Sequence, residues 1–220
     1  MQLDTIRLLD PETAQAFANQ IKRRGDLWIP RGMFYTIGAS AYVDTPAMYP
    51  VLCQYTNPVL EHLWNNLQYE VMDNIPARFA PKAARRVNRT AIMGAHIFTP
   101  TTNGVRAPIH TDAPYERINW GGEITNPFSF TLALEMPAVG GGLDYWPEHN
   151  TSHVDMLNRL PAKALPEPTH LRYEAGTMYV HDGLTPHRIA NCGDMVAGQH
   201  RITLQGHGVT LSDGVTAIYF

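Results

Sequence analysis

From about residue 90 onward the chain breaks into short segments rich in β-branched and aromatic residues, at 90–98, 105–111, 128–136, 143–146, 177–181, 187–191, 201–209 and 215–220. Turn residues separate nearly all of them, and no helix of ordinary length intervenes. Many short strands with such punctuation pack as an antiparallel barrel or sandwich. Two longer irregular stretches, 113–127 and 147–176, exceed what a hairpin needs, and loops of that length commonly serve as lids or binding loops.

The first ninety residues read differently. Asp10-Pro11 opens a helix, the aspartate capping orphan amides and the proline taking a first-turn position, with Phe17, Ala18 and Ile21 on one face and Gly25 as the stop. A second helix is expected from Asn57-Pro58, where Leu60, Leu63, Trp64, Leu67 and Val71 recur at threes and fours until Asn74 and Pro76. Between the two, 27–29 and 33–37 read as short strands divided by Pro30-Arg31-Gly32. The expected class is mainly β with N-terminal helices (α+β). It is expected as one domain, in which residues 1–89 support a β core at 90–220.

Composition narrows the function classes. Charged residues make up 17%, below the roughly 25% typical of soluble proteins, and seventeen Gly and seventeen Pro favour a turn-rich, strand-rich body. The net charge is −3 and the pI near 6.3, and the local concentration of positive charge at 82–89 reads as a solvated face, so a nucleic-acid partner is not expected. Asp4, Arg7 and Asp10 interrupt any apolar run at the N-terminus, and Cys53 and Cys192 lie far apart. No apolar stretch approaches the roughly 18 residues of a membrane helix. These features lead us to expect a soluble, cytosolic protein with no membrane partner, and they are compatible with a homo-oligomer.

The chemistry concentrates at His110-Thr111-Asp112. Residues two apart on a strand point to the same side, which suits a metal ion. Ten His and eleven Asp in 220 positions give about half a His-x-Asp by chance, so the tripeptide alone means little. A second copy, His153-Val154-Asp155, lies in what reads as a capped helical turn, where its side chains would diverge by about 200°. Downstream partners separate the two copies. Seventy-four residues lie between Asp112 and His187, and thirteen between His187 and Arg201, whereas the His153 pair leaves only thirty-one before His187. Two neutral imidazoles and a carboxylate on one face of an octahedral iron(II) leave the opposite face open to a cosubstrate and dioxygen. Arg201 and Thr203, on one side of their strand, offer a guanidinium fork and a hydroxyl to a carboxylate. An acidic cosubstrate chelating the metal at one end and held by arginine at the other fits this set.

In this arrangement the chain resembles the iron(II)/2-oxoglutarate-dependent oxygenases, whose pattern is His-x-Asp/Glu, a distant His and a basic residue ten or more positions later. His110, Asp112, His187 and Arg201 match it, and Arg201-Ile202-Thr203 is similar to the family's Arg-x-Ser. Ala138-Val139-Gly140-Gly141-Gly142-Leu143 looks like the Gly-Gly turn of the prolyl-hydroxylase-like members. Glu174-Ala175-Gly176-Thr177-Met178-Tyr179-Val180-His181 looks like the strand before their distal histidine. The resemblance covers roughly residues 90–210. It implies a double-stranded β-helix (jelly roll) and Fe(II) held by His110, Asp112 and His187. It further implies 2-oxoglutarate held by Arg201 and Thr203, and conversion of 2-oxoglutarate and O2 to succinate and CO2. Family members that halogenate usually replace the ligand carboxylate with Gly or Ala, so Asp112 implies hydroxylation, with desaturation or ring formation as variants.

Further residues are candidates for the substrate. Arg106 lies four before His110 and so on the same strand face, where it would meet a substrate carboxylate. His96 lines the pocket or is a satisfied core histidine. Tyr115, Arg117 and Trp120 belong to a candidate lid. Trp146 is a further candidate, with core packing as the default for a strand aromatic. Arg188 is expected to face away from the metal in a structural pair, His200 to face away from Arg201, and His181 to stand behind the ligands. The expected substrate is a small polar molecule such as an amino acid or natural-product intermediate. Two rivals are a cupin-type dioxygenase or isomerase that uses no 2-oxoglutarate, and a non-catalytic jelly-roll binding module.

Overall fold

The computed structural model describes residues 1–82, 84–87, 90–102, 107–193 and 195–220. Its strands in chain order are β1 (Leu3–Arg7), β2 (Ile29–Pro30), β3 (Tyr35–Ile37), β4 (Ala84–Arg86), β5 (Gly94–Phe98) and β6 (Ile124–Glu135). They continue with β7 (Leu143–Tyr145), β8 (Thr169–Leu171), β9 (Thr177–His181), β10 (His187–Ile189), β11 (Arg201–Leu211) and β12 (Thr216–Tyr219). The larger sheet runs β1-β9-β6-β11-β5-β3-β2, with β12 beside β11 and β4 beside β12; the smaller runs β10-β7-β8. All pairings are antiparallel except β12 with β4. Ala133 and Tyr179 of the larger sheet share a buried cluster with Leu143 of the smaller, so the sheets pack as the two layers of a jelly roll.

The helices cover the outer face of the larger sheet. In α1 (Pro11–Arg23) the Asp10 side chain accepts from Thr13 N at 2.9 Å, and Ala14, Ala18 and Ile21 are buried against the main core. α2 (Met48–Trp64) begins nine residues earlier than the apolar spacing suggests and runs through Pro58. An internal proline costs a helix about 3 kcal/mol. Burial of Leu60, Leu63 and Trp64 opposes that cost, and Asn57 moors the helix to Thr90 O and Ile92 N. The apolar pattern then crosses a break at Asn65, whose φ of 47° ends α2, and resumes as α3 (Leu67–Asp73). A fourth helix, α4 (Val154–Arg159), and short 3-10 turns lie within the long stretch before β9, which also contains β8.

Among the described residues, the strand expected at 105–111 is reduced to a single bridge. Residues 103–106 lie outside the described residues, 107–109 have no regular structure, and His110 forms a single isolated bridge to His187. Pro108 has no N–H to give to a ladder, which accounts for the interruption. β5 likewise starts at Gly94 rather than at 90, and β2 and β3 are shorter than the apolar runs around them.

The glycine turn before β7 has a structural duty. Gly140 and Gly141 take φ of +72° and +77°, and a Cβ on Gly140 would fall 1.7 Å from Asn191 O. Gly141 O accepts from Arg201 Nε at 2.6 Å, so the turn also seats that arginine. Gly140→Ala is expected to destabilise the fold by about 1–3 kcal/mol, read as a lower denaturant midpoint, because the backbone must leave the left-handed region or displace Asn191. Both cysteines are buried and unpaired, and no described helix is long and apolar enough to cross a membrane.

Candidate metal centre and its cavity

Backbone pairing brings the two histidines together. His110 and His187 exchange both main-chain hydrogen bonds, each 2.9 Å, as directly opposed residues of an antiparallel bridge, so their side chains leave the same side. Asp112 N donates to Gly183 O at 2.8 Å, which brings its carboxylate back beside the rings. Gly183 has φ +70°, and a Cβ there would lie 3.0 Å from Asp112 Cβ, so a bulkier residue would press on the carboxylate. One ligand atom from each of His110, Asp112 and His187 falls within 4.8 Å of the others.

The imidazoles are turned for metal binding. His187 Nδ1 donates to Thr185 O at 2.7 Å and His110 Nδ1 donates to Pro108 O at 3.0 Å. A carbonyl can only accept, so each Nδ1 carries the proton and each neutral ring offers its Nε2 lone pair. Those nitrogens stand 3.4 Å and 3.7 Å from the Asp112 oxygens. Burial opposes ionisation of Asp112, yet the neighbouring imidazoles, His187 foremost, hold its carboxyl well below the usual carboxylate range. Burial also works against charge on His187, but the Asp112 carboxylate keeps its pKa above the ordinary value. Two Nε2 donors facing one carboxylate, each tautomer fixed from behind, form a donor set that fits a divalent transition metal with further positions open.

These residues line a cavity of about 470 Å³. At one end Arg201 is 1% exposed, with Nε on Gly141 O and Nη1 3.3 Å from Thr203 Oγ1, and its guanidinium lies 5.4 Å from the Phe98 ring centre and 5.8 Å from that of Tyr173. It has no carboxylate partner among the described residues, and burial pushes its pKa down. A buried guanidinium with donors left over in a cavity wall has the chemistry to receive an anion.

The remaining candidates divide. His96 lines the cavity and meets Tyr42 Oη through Nε2 at 2.5 Å. Arg117 lines it too, donating to Tyr42 O at 2.9 Å, while Glu116 beside it shares the rim. Tyr115 packs with Trp120, whose Nε1 donates to Tyr115 O, and the Trp120 ring lies 5.2 Å from Tyr219; neither is in the cavity wall. Trp146, 1% exposed, also lies outside the cavity: its Nε1 donates to Pro166 O at 2.7 Å and it packs with Ile109 and Leu157. An indole so placed supports the bridge segment rather than touching a ligand. Arg106 lies outside the described residues. Arg188 turns away to Asp144 Oδ2 at 2.9 Å, and His200 to Glu135 at 3.5 Å.

The alternative pair does not converge. His153 Nδ1 accepts from Asn150 N at the start of a helical turn, and Asp155 is exposed. His153→Ala is accordingly expected to leave bound metal per chain unchanged by metal analysis. Tyr42, by contrast, reaches the cavity from an irregular segment with no periodicity, so nothing in its sequence surroundings marks it. His207 was within reach of sequence reasoning: 201, 203, 205 and 207 alternate onto one face of β11, and Arg201, Gln205 and His207 line the cavity.

No protein-family model matches the chain, and no curated protein matches it. Solved structures do. An N-substituted L-amino acid dioxygenase from Burkholderia ambifaria AMMD, in complex with alpha-ketoglutarate, aligns over 99% of this chain and 86% of its own at 11% identity and TM-score 0.64. The fold is that of the iron(II)/2-oxoglutarate oxygenases. The non-heme alpha-ketoglutarate-dependent carbocyclase SnoK from nogalamycin biosynthesis aligns over 99% and 92% at 15% identity and TM-score 0.56. HygX from Streptomyces hygroscopicus, with nickel and 2-oxoglutarate bound, aligns over 93% and 81% at 11% identity and TM-score 0.52. In this chain the β10 histidine, the bridge segment and the first residue of β11 all line one cavity.

Proposed function

We propose that the protein is an iron(II)/2-oxoglutarate-dependent oxygenase that hydroxylates an unactivated C–H of a small polar molecule. The observation that carries this reading is the cavity itself: two Nε2-presenting imidazoles with a carboxylate, and a buried guanidinium with no carboxylate partner among the described residues, face the same space. His110, Asp112 and His187 would hold the metal. Bound there, iron(II) would supply dioxygen activation coupled to oxidative decarboxylation of 2-oxoglutarate to succinate and CO2.

The chain's own residues bind and orient. Thr185 O and Pro108 O fix the imidazole tautomers, so that each neutral ring carries its proton on Nδ1 and turns the Nε2 lone pair to the metal position. Arg201, braced by Gly141 O, would take the distal carboxylate of 2-oxoglutarate with Thr203. Phe98, Phe34 and Tyr173 in the wall lower the local dielectric, which strengthens that ion pair. The cavity volume suits a cosubstrate together with a metabolite-sized molecule, and the Glu116 and Arg117 rim favours a polar one.

Anaerobic addition of iron(II) and then 2-oxoglutarate tests the reading. A visible charge-transfer band is expected on the second addition, and succinate on admitting air. A protein that loads iron and shows neither would contradict it. The cupin-type alternative lacks a use for Arg201.

A further inference from the structure

The cavity has a second polar end that the metal and the cosubstrate leave unused. Arg201, Thr203, Gln205 and His207 alternate along one face of β11, and the stretch from Arg201 to His207 spans roughly 20 Å of strand. A five-carbon dicarboxylate held by Arg201 does not extend to His207. At that far end, His207 is 5% exposed and its Nδ1 lies 2.9 Å from Ser129 Oγ. Its Nε2 is buried and has no hydrogen-bond partner among the described residues. Tyr42 stands across from it, the ring centres 6.0 Å apart, with its hydroxyl on His96.

A buried ring nitrogen left unpaired carries a desolvation penalty that a ligand removes by supplying the missing bond. Burial pushes both His207 and His96 down, and Asp112 lies close enough to disfavour a second anion. We propose that the His207–Tyr42 end is the substrate subsite, and that it takes a neutral hydrogen-bonding group of the substrate, a hydroxyl or a carboxamide, on His207 Nε2. The assignment rests on the oxygenase function proposed above. It makes His207 a specificity-determining residue. Ser129 is the positioning residue that holds its ring.

Matched isosteres test it. The iron(II)/2-oxoglutarate protein is titrated anaerobically with threonine against valine and with asparagine against leucine, following the shift of the charge-transfer band. In the wild type the hydroxyl or carboxamide member is expected to bind at least about tenfold more tightly than its isostere, since a site built to hydrogen-bond discriminates against an analogue that cannot. His207→Phe is expected to keep the band, because it touches neither the metal ligands nor Arg201, and to lose the discrimination. Ser129→Ala, a milder change, is expected to reduce it several-fold. Equal binding within both pairs, no response of the wild type to any of the four, or discrimination that survives in both variants would overturn the assignment. A wild-type protein with no charge-transfer band at all would instead overturn the oxygenase function.

Discussion

Asp112→Ala is expected to lower iron(II) affinity by well over about 100-fold and to abolish succinate formation from 2-oxoglutarate. Loss of an outer partner of a metal ligand already costs about 10–100-fold in affinity, and Asp112 is one of the three proposed donors and the only negatively charged one. Its carboxylate faces both Nε2 atoms, at 3.4 Å and 3.7 Å, and is held ionised against its burial chiefly by His187. Removing it leaves two neutral imidazoles, a set that binds a divalent ion without cancelling any of its charge. The fold has no comparable stake in this side chain: Asp112 N keeps its bond to Gly183 O, and His110 and His187 keep their paired backbone bonds. Equilibrium dialysis against iron(II), with circular dichroism as the folding control, separates the two effects. Retained affinity in a folded Asp112→Ala would place the metal elsewhere.

The centre is legible from side-chain identity and order more than from local structure. The two-residue spacing of His110 and Asp112 reads as a strand motif, yet only His110 makes a strand-like bridge, and Asp112 returns through its bond to Gly183 O. The long-range order of His187 and Arg201 holds despite that difference because β10 and β11 are strands whose faces alternate as expected. Helix caps carry local chemistry, so Asp10 marks the start of α1 correctly. α2 begins at Met48 just after Thr45-Pro46, where Thr45 Oγ1 accepts from Met48 N at 3.3 Å, a start signal that the apolar spacing from Asn57 onward passes over. Tyr42 and His96 meet through tertiary packing of segments 54 residues apart, a contact that no periodicity encodes. Trp120 and Trp146 show the reverse case. Their position near the motifs suggests a ligand role, while their indole N–H groups are spent on the backbone carbonyls of Tyr115 and Pro166.

Arg201→Met is expected to raise the KM for 2-oxoglutarate by about 30-fold to several thousandfold while leaving iron binding intact. The range is what truncating one partner of a buried, hydrogen-bonded charge pair costs, about 2–5 kcal/mol, converted at about 1.4 kcal/mol per tenfold. The same substitution is expected not to destabilise the cosubstrate-free protein in proportion. There the guanidinium is 1% exposed, its Nε and Nη1 are met by Gly141 O and Thr203 Oγ1, and no carboxylate among the described residues repays its desolvation. Removing a buried cation of that kind is neutral or stabilising when an apolar side chain of similar length fills the space beside Phe98 and Tyr173. The two effects therefore take opposite signs, and thermal melts read both. Wild-type protein gains about 2.7 kcal/mol at 2-oxoglutarate about 100-fold above its dissociation constant, whereas Arg201→Met gains less than about 1 kcal/mol at the same concentration. Arg201→Lys should fall between them, because an ammonium keeps the charge but cannot serve Gly141 O and a carboxylate together as the planar fork does. An Arg201→Met enzyme with unaltered turnover would mean that the anion at this end of the cavity is not a cosubstrate, and the metal would then be working in a cupin-type reaction without 2-oxoglutarate.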